Sequence, residues 1–389
     1  MKRLISSLCF VGILALLTAC GPKTPELSIL ADEAMNGLLT ELNAVGLSVA
    51  VVKDNQIVYT GAFGKKSIED GSLIGTDDLF RIASISKSFV ATGMMQQLEL
   101  GKYGLDDDVS TALGIPVRNP KFPNTPITYR MLLSHTSSLS DDLGYFTVDV
   151  IDPKVTKDVA SAYNDYAPGT QYEYCNLGFN LLGALLEIHS GERFDQYIAN
   201  HILQPLNIVG GYNVDQLDKN MFVSIYEYND GVFTHSPDAY RNRAVEIENN
   251  YRPGRTTPIF SPTGGMKIAP KDLAKHMLVQ MNQGSWNGVN ILKPESVVLM
   301  QTPYSHPELQ SDYGFAIRTT EKLIAGEVLK GHTGSAYGLY SAMFFEPAKG
   351  FGFVMMTNGA PAKYGENSFL TVQSEVINKL YQLFIQDAK

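Results

Sequence analysis

Runs of β-forming residues lie at the two ends of this chain of 389 residues, and helical patterns fill its middle. Near the N-terminus, residues 46–52 and 57–60 flank the turn pair Asp54-Asn55, which predicts a β-hairpin. Four further β-like runs come late, at residues 313–318, 328–332, 340–345 and 351–357. Because short connections favour antiparallel pairing, we expect strands from both ends to share one antiparallel sheet.

Apolar residues at helical spacing predict a series of helices between and around these strands. They are expected at residues 27–42, 86–100, 127–134, 177–190, 194–202, 271–281, 295–300 and 371–385. The fold class is therefore α/β (α+β), with helices that flank the sheet. We expect residues 27–100 and 311–389 to form one sheet domain, with a mostly helical domain at residues 101–310 inserted between its halves. An active site would lie at the junction of the two domains.

The N-terminus is typical of an export signal. Lys2 and Arg3 precede an apolar run at residues 4–17, which is too short to span a bilayer comfortably as a permanent helix. The run ends in Leu-Thr-Ala-Cys at residues 17–20, a tetrapeptide that resembles the lipobox of bacterial lipoproteins.

The lipobox implies a signal peptide at residues 1–19, lipidation of Cys20 and a short tether at residues 20–26. The chain would then be exported and anchored to a bacterial membrane through Cys20. No aspartate follows the cysteine, so in a bacterium with two membranes we expect the outer membrane, with the protein facing the periplasm. An ordinary cleaved signal or an uncleaved anchor is the alternative.

Charge and cysteine usage argue against several classes of partner. The formal net charge is -9, from 31 Lys and Arg against 40 Asp and Glu, and no basic cluster favours nucleic acid. Only Cys175 lies beyond the signal segment and its lipobox, so we expect no disulfide within the mature chain. The histidines show no metal-ligand spacing, and we expect neither a metal nor a cofactor.

The only Ser-x-x-Lys in the chain, Ser84-Ile85-Ser86-Lys87, lies where a predicted apolar helix begins. Residues three apart on a helix share a face, so the hydroxyl of Ser84 and the amine of Lys87 would lie together. An amine whose ammonium form is disfavoured by burial can take the proton of a serine, which is otherwise a weak nucleophile. The helix N-terminus would also stabilise a developing negative charge. We therefore expect Ser84 to be a nucleophile and Lys87 to be its base.

A tyrosine and an asparagine precede another predicted helix, in Tyr174-Cys175-Asn176. Tyr174 could move the proton of Ser84 if the ammonium of Lys87 lowers the pKa of the phenol. Asn176 could orient Lys87 and bind a substrate amide. The same pattern occurs at Tyr240-Arg241-Asn242, and either tyrosine could simply pack in the core.

A glycine-rich segment ends the strand predicted at residues 328–332, with the sequence Gly331-His332-Thr333-Gly334-Ser335. Gly334 would let the backbone approach a ligand closely, and the N–H of Ser335 could join that of Ser84 in an oxyanion hole. His332 would add a polar or cationic group beside the substrate. A plain strand end with an exposed histidine is the alternative.

Two further residues allow other nucleophilic arrangements. His135 could form a Ser-His-Asp triad with Asp141 or Asp142, but the chain has no Gly-x-Ser-x-Gly elbow to present the serine. We expect His135 to fix a loop. Cys175 could be a nucleophile, but no activating partner is evident, and a lone cysteine more often fills apolar space.

The order and wide spacing of the three segments resemble the class C β-lactamase and DD-peptidase family of serine hydrolases. The resemblance covers nearly all of the mature chain, with further landmarks at residues 132–139, 264–266, 272–274 and 345–347. It implies a five-stranded antiparallel sheet flanked by helices, with an inserted helical domain, as in serine β-lactamases and penicillin-binding proteins. It also implies an acyl-enzyme mechanism in which Ser84 attacks a carbonyl, Lys87 and Tyr174 move the proton, and water later frees the enzyme.

The chain departs from the β-lactamase pattern at His332, where those enzymes normally have a lysine that helps to hold the substrate carboxylate. A mostly neutral histidine would bind a carboxylate more weakly. We therefore expect an envelope serine hydrolase that acts on a peptide, amide or ester, such as a D-amino-acid peptide, rather than mainly on β-lactams. A catalytically silent muropeptide-binding protein on the same scaffold is the alternative, and the role of residues 215–255 stays open.

Overall fold

The computed structural model describes residues 25–306 and 309–387. The predicted signal peptide at residues 1–19, the predicted lipidation site Cys20 and most of the predicted tether at residues 20–26 lie outside the described residues. The strands are β1 (Gly46–Lys53), β2 (Gln56–Gly64), β3 (Phe80–Arg81), β4 (Gly210–Gly211), β5 (Tyr226–Asn229), β6 (Val232–His235), β7 (Lys267–Ile268), β8 (Ser285–Trp286), β9 (Val289–Asn290), β10 (Ser305–His306), β11 (Leu309–Gln310), β12 (Arg318–Thr320), β13 (Leu329–Ala336), β14 (Leu339–Glu346) and β15 (Phe351–Thr357). The α-helices are α1 (Pro25–Glu41), α2 (Ser86–Glu99), α3 (Val109–Leu113), α4 (Tyr129–Leu133), α5 (Asn176–Ser190), α6 (Phe194–Ile198), α7 (Ala244–Asn250), α8 (Pro270–Met281), α9 (Pro294–Gln301) and α10 (Thr371–Tyr381).

Strands from both ends of the chain share one antiparallel sheet, as the sequence predicts. Its strand order is β12-β13-β14-β15-β1-β2, and the N-terminal hairpin joins the late strands through pairs such as Leu47 with Thr357. Asp54 and Asn55 have positive φ angles of 52° and 57°, which a tight two-residue hairpin turn requires. The mixed α and β fold class is confirmed. The five strands that the family resemblance implies are wrong, because this sheet has six.

One strand was predicted in the wrong place. Residues 313–317 are buried at every position and form a bend in which Ala316 has a φ of 59°. The apolar run that predicted a strand there is a buried loop. Its side chains are apolar because all of them face the core, and they do not alternate between core and solvent as in a half-buried strand. The edge strand β12 begins only at Arg318, which pairs with Gly331 of β13.

The two faces of the sheet carry separate cores. Helices α1 and α10 pack on one face, in a cluster that includes Met35, Phe353 and Ile377. Helix α8 packs on the other face, in a cluster that includes Val354 and Met277 and continues among the remaining helices. Because both faces are covered, β1 and β15 are buried along almost their whole length, which explains why their sequences are apolar without alternation.

The helical layer brings the start of α2 to the sheet. Helix α2 is buried on nearly all sides and contacts α5, α6 and α9. The short turn before it, Ala83–Ile85, contacts β13 and β14. The domain boundaries placed after residues 100 and 310 stay a prediction. Within the described residues, no helix is both long enough and apolar enough to cross a bilayer.

Candidate active site

Ser84 lies in the tight 3-10 turn that leads from β3 into α2. Ala83, just before it, has a φ of 45°, a left-handed conformation that a residue other than glycine adopts at some cost. The residue after the turn is fixed on two sides: Met266 N–H donates to Ser86 Oγ at 3.0 Å, and the Tyr212 hydroxyl donates to the Ser86 carbonyl oxygen at 2.7 Å. The surrounding protein thus holds a strained backbone in place beside the predicted nucleophile.

Lys87 is fully buried one helical turn after Ser84, and three oxygen atoms surround its amine. Nζ lies 3.1 Å from Ser84 Oγ, 2.9 Å from Asn176 Oδ1 and 3.0 Å from the Thr263 carbonyl oxygen. Burial lowers the pKa of Lys87 to about 7, although the negative charge of Asp141 raises it. In the neutral amine, two N–H groups donate to Asn176 and Thr263, so the lone pair faces the hydroxyl of Ser84. This geometry makes Lys87 a competent base for Ser84.

Tyr174 lies beside Lys87, with the lysine Nζ 4.7 Å from the centroid of its ring. Burial raises the pKa of Tyr174 well above the usual value, and the hydroxyl of Ser84 offsets this only in part. The lowered pKa that Tyr174 would need to act as a base is therefore not met, because desolvation outweighs the stabilising contacts. A neutral phenol donates a proton rather than accepts one. The hydroxyl of the other candidate, Tyr240, accepts the N–H of Arg81 at 3.3 Å.

Asp141 holds Asn176 in place, a role that the sequence did not indicate. Its Oδ2 accepts the backbone N–H and the side-chain Nδ2–H of Asn176, each at 2.9 Å, and its Oδ1 accepts the N–H of Leu177 at 2.9 Å. These contacts cap α5, whose N-cap residue Cys175 makes no capping bond of its own. With Nδ2 bound to the carboxylate, Oδ1 of Asn176 faces Lys87. The orienting role predicted for Asn176 fits this arrangement.

His135 and Cys175 pack behind Tyr174. Nδ1 of His135 accepts the N–H of Cys175 at 3.1 Å, and the centroids of the His135 and Tyr174 rings are 4.2 Å apart. Burial lowers the pKa of His135 and raises the pKa of the Cys175 thiol, so both side chains are uncharged at neutral pH. His135 therefore fixes the loop that carries Tyr174. Among the described residues, it assembles no triad with a serine and a carboxylate.

Strand β13 brings the third predicted segment alongside the turn before α2. A Cβ atom at Gly334 would lie 2.2 Å from the Ile82 carbonyl oxygen and 2.4 Å from Ser341 Oγ. Contacts this short are impossible, so only glycine permits the approach of the strand. The predicted role of Gly334 as a residue for close approach fits, with the backbone at Ile82 as its neighbour.

The N–H of Ser335 points away from β14. The hairpin between β13 and β14 has a two-residue loop, so the flanking residues Ala336 and Leu339 form a hydrogen-bonded pair. The next pair, Ser335 with Tyr340, is then a non-hydrogen-bonded pair, in which the backbone N–H groups point away from the partner strand. Strand β12 pairs with β13 only as far as Gly331. The N–H of Ser335 therefore lies outside both strand pairings and is available, with that of Ser84, to bind an oxyanion.

His332 is buried and neutral rather than exposed and cationic. Its Nδ1–H donates to the Thr333 carbonyl oxygen at 2.5 Å, which leaves Nε2 to accept the Tyr313 hydroxyl at 2.9 Å. Burial, together with the charge of Lys87, lowers the pKa of His332 to about 3. His332 still lines the cavity at Ser84, but as an uncharged group whose two nitrogens are already engaged.

Arg318 is a cation beside Ser84 that the sequence did not indicate. It lines a cavity of about 310 Å³ together with Ser84, Thr333 and Ser335. This cavity continues into a larger one of about 540 Å³ that shares Arg318, Thr333 and Ser335. The Arg318 side chain is 40% exposed, and its Nε lies 3.4 Å from Asp312 Oδ2, so the guanidinium is accessible to a ligand. Only the pairing of β12 with β13 reveals this position, because no sequence motif contains it.

The chain is similar to known proteins in sequence and in fold. Residues 31–372 match the Beta-lactamase family. The chain is 24% identical over 349 residues to penicillin-binding protein 4 of Amycolatopsis lactamdurans, covering 85% of each protein. It is 27% identical over 287 residues to the D-alanyl-D-alanine-carboxypeptidase/endopeptidase AmpH of Escherichia coli strain K12, covering 71% of this chain and 69% of that protein. The D-amino acid amidase of Ochrobactrum anthropi SV3, solved with D-phenylalanine, has a similar fold, with a TM-score of 0.69, 19% identity, and coverage of 94% of this chain and 100% of that one.

Proposed function

The chain belongs to the beta-lactamase family and is a serine hydrolase, and we propose that it cleaves peptides that end in a D-amino acid with a free carboxylate. The observation that carries this proposal is the place of Arg318, whose side chain lines the same cavity as Ser84 and Thr333. An arginine binds a carboxylate through two parallel hydrogen bonds, which the neutral His332 cannot offer. The terminal carboxylate would lie at Arg318 while the preceding peptide carbonyl reaches Ser84.

Acylation follows from the contacts around Ser84. Neutral Lys87 takes the proton of Ser84 as Oγ attacks the carbonyl carbon, and the N–H groups of Ser84 and Ser335 bind the oxyanion. The phenol of Tyr174 donates its proton to the departing amine and regains one from the adjacent Lys87 ammonium. The C–N bond breaks, an ester forms on Ser84, and the terminal D-amino acid leaves. Water then hydrolyses the ester and restores the hydroxyl.

Release of D-alanine from a diacylated L-lysyl-D-alanyl-D-alanine peptide tests this function. We expect release by the wild-type protein and none by Ser84→Ala, with p-nitrophenyl acetate as a second substrate for both. Turnover of the ester without release of D-alanine would overturn the proposed peptide substrate. Turnover of neither substrate would favour the silent muropeptide-binding alternative.

We also propose that the chain is exported and anchored by a lipid on Cys20. The support for this is the N-terminal sequence, in which an apolar run at residues 4–17 leads to a small residue and a cysteine. Metabolic labelling with a radioactive fatty acid tests it. We expect label on the wild-type protein and not on Cys20→Ser, and equal labelling of the two would refute the anchor.

A further inference from the structure

A second cavity, of about 530 Å³, also opens on Ser84 but does not include Arg318. We call it the acyl cavity; its walls include Arg81 and the aromatic residues Tyr145, Phe146 and Tyr337. Ser84 and Ser335 line both this cavity and the one that contains Arg318. A scissile bond at Ser84, with its leaving group toward Arg318, would therefore place its acyl group in the acyl cavity.

Arg81 is the only charged side chain that lines the acyl cavity within the described residues. Its Nε–H donates to the Gly264 carbonyl oxygen at 2.8 Å, and its guanidinium carbon lies 4.9 Å from the centroid of the Tyr337 ring. In the part of the chain that the structure describes, no carboxylate lies within 4.0 Å of this guanidinium, and its two terminal nitrogens donate to no protein acceptor. A guanidinium fixed at one nitrogen and open at the other two suits a carboxylate ligand.

Other charges near Arg81 are largely balanced. An adjoining cavity of about 70 Å³ also contains Arg241 and Arg243, and Glu246 pairs with both, at 3.0 Å and 2.8 Å. The N–H of Arg243 also donates to Asp215 at 3.1 Å. These carboxylates do not line the acyl cavity, so they leave the charge of Arg81 uncompensated there.

Two more ionisable side chains, Lys267 and Asp238, line the small cavity. Lys267 is buried, and its Nζ donates to the Tyr212 carbonyl oxygen at 2.9 Å. Burial, together with the charge of Arg81, holds the pKa of Lys267 well below its usual value. Asp238 lines the small cavity but not the acyl cavity. Neither side chain therefore places a negative charge in the acyl cavity beside Arg81.

We propose that the acyl group of the substrate carries a carboxylate that Arg81 binds in the acyl cavity. This inference rests on the proposed hydrolysis at Ser84 and adds which acyl donors the enzyme prefers. The substrate class is a peptide or ester whose acyl half has an acidic group a few atoms from the reacting carbonyl. The aromatic walls would hold the intervening carbon chain while the guanidinium binds the acid.

Two matched p-nitrophenyl esters test this preference without using Arg318. The adipate half-ester and the hexanoate ester have acyl chains of equal length and differ in a terminal carboxylate against a methyl group. In each reaction, Ser84 Oγ forms an ester with the acyl carbon, p-nitrophenolate leaves with the bonding electrons, and water then releases the acid. We expect kcat/KM, corrected for spontaneous hydrolysis, to favour adipate by at least about tenfold, as for a hydrogen bond to a charged group.

Variants at Arg81 attribute that preference to the guanidinium. Arg81→Gln should lose it while hexanoate turnover continues, and Arg81→Lys should keep part of it. Arg252→Gln, which removes an exposed arginine of the neighbouring segment, serves as the matched control and should change neither ester. In the wild-type protein, raising the salt concentration from about 0.05 M to about 0.5 M should weaken the preference without slowing hexanoate.

The outcomes separate this inference from the function on which it rests. Turnover of hexanoate by the wild-type protein without a preference for adipate would overturn the inference alone. A preference that survives in Arg81→Gln would do the same, because another group would then bind the acid. Turnover of neither ester would overturn the proposed hydrolysis as well.

Discussion

Replacement of Gly334 by alanine tests the oxyanion site through a single methyl group. The new Cβ would lie 2.2 Å from the Ile82 carbonyl oxygen. A carbon–oxygen contact needs about 3.3 Å, so β13 must move away from Ile82 by about 1 Å. Gly334 is not among the residues with positive φ, so the methyl group adds no backbone strain of its own. The whole effect should come from this displacement of the strand.

The displacement carries the N–H of Ser335 away from the oxyanion that forms at Ser84. Loss of one oxyanion donor costs about 100-fold to 1,000-fold in kcat, and a misplacement of about 1 Å alone costs about 100-fold. We therefore expect kcat/KM for p-nitrophenyl acetate to fall by about 100-fold or more in Gly334→Ala. Stopped-flow release of p-nitrophenolate measures the acylation step directly.

A second glycine provides the matched control. At Gly37 in α1, an added Cβ would meet no atom within 4 Å, so Gly37→Ala should leave activity unchanged and raise the free energy of unfolding slightly. Circular dichroism and thermal unfolding establish that both variants are folded. A folded Gly334→Ala with kcat/KM within about threefold of wild type would refute the role of Ser335 as an oxyanion donor.

Charged and titratable groups make three more experiments informative. The acylation rate should rise with pH up to the pKa of Lys87 near 7 and then level off, because only the neutral amine accepts a proton. Asp141→Asn removes a negative charge that raises this pKa, so the midpoint of the pH profile, measured in single turnovers, should move to lower pH. An unmoved midpoint would contradict the coupling between Asp141 and Lys87. Arg318→Gln should lower kcat/KM at least about tenfold for a peptide with a terminal D-alanine carboxylate but not for the same peptide as its terminal amide, and equal losses would exclude a carboxylate contact. Burial lowers the pKa of His276 to about 3, so the folded protein keeps it neutral and loses stability as pH falls from about 6.5 toward 3. In denaturant titrations between these pH values, His276→Leu should reduce the slope of the free energy of unfolding against pH by about 1.4 kcal/mol per pH unit. An unchanged slope would show that the pKa of His276 does not differ between the folded and unfolded states.

Local patterns predict those parts of the site that a single element positions. Ser84 and Lys87 are three residues apart at a helix start, so their contact follows from helix geometry alone. The turn pair Asp54-Asn55 likewise predicts the first hairpin, because both residues tolerate positive φ. The order of the three segments resembles a known family, and this resemblance predicts that Gly334 belongs to the site. The structure explains why a glycine is needed there.

Contacts between distant segments could not be predicted from local patterns. Asp141 and Thr263 reach Asn176 and Lys87 from loops with no motif, through bonds that only the packed chain brings together. The position of Arg318 beside the site depends on the register between β12 and β13. The strand predicted at residues 313–318 was misplaced, because residues 313–317 are all buried and their apolar pattern does not distinguish a loop from a strand.

The charge states of side chains in the site also could not be predicted from the sequence. The direction of the pKa shift at Tyr174 and at His332 depends on how completely each side chain is removed from water. Residue type left open a phenol with a lowered pKa at Tyr174 and a polar or cationic group at His332, whereas burial keeps both side chains neutral. Lys87 therefore remains the predicted base, and Arg318 rather than His332 is the cation that lines the cavity at Ser84.

Intact-mass spectrometry after incubation with a p-nitrophenyl phosphonate tests the central claim most directly, which is that Ser84 is the nucleophile that Lys87 activates. We expect one phosphonyl adduct on the wild-type protein, mapped by proteolysis to the peptide that contains Ser84. We expect no adduct on Ser84→Ala and much slower labelling of Lys87→Met. Undiminished labelling of Ser84→Ala, or an adduct on another residue, would contradict the account.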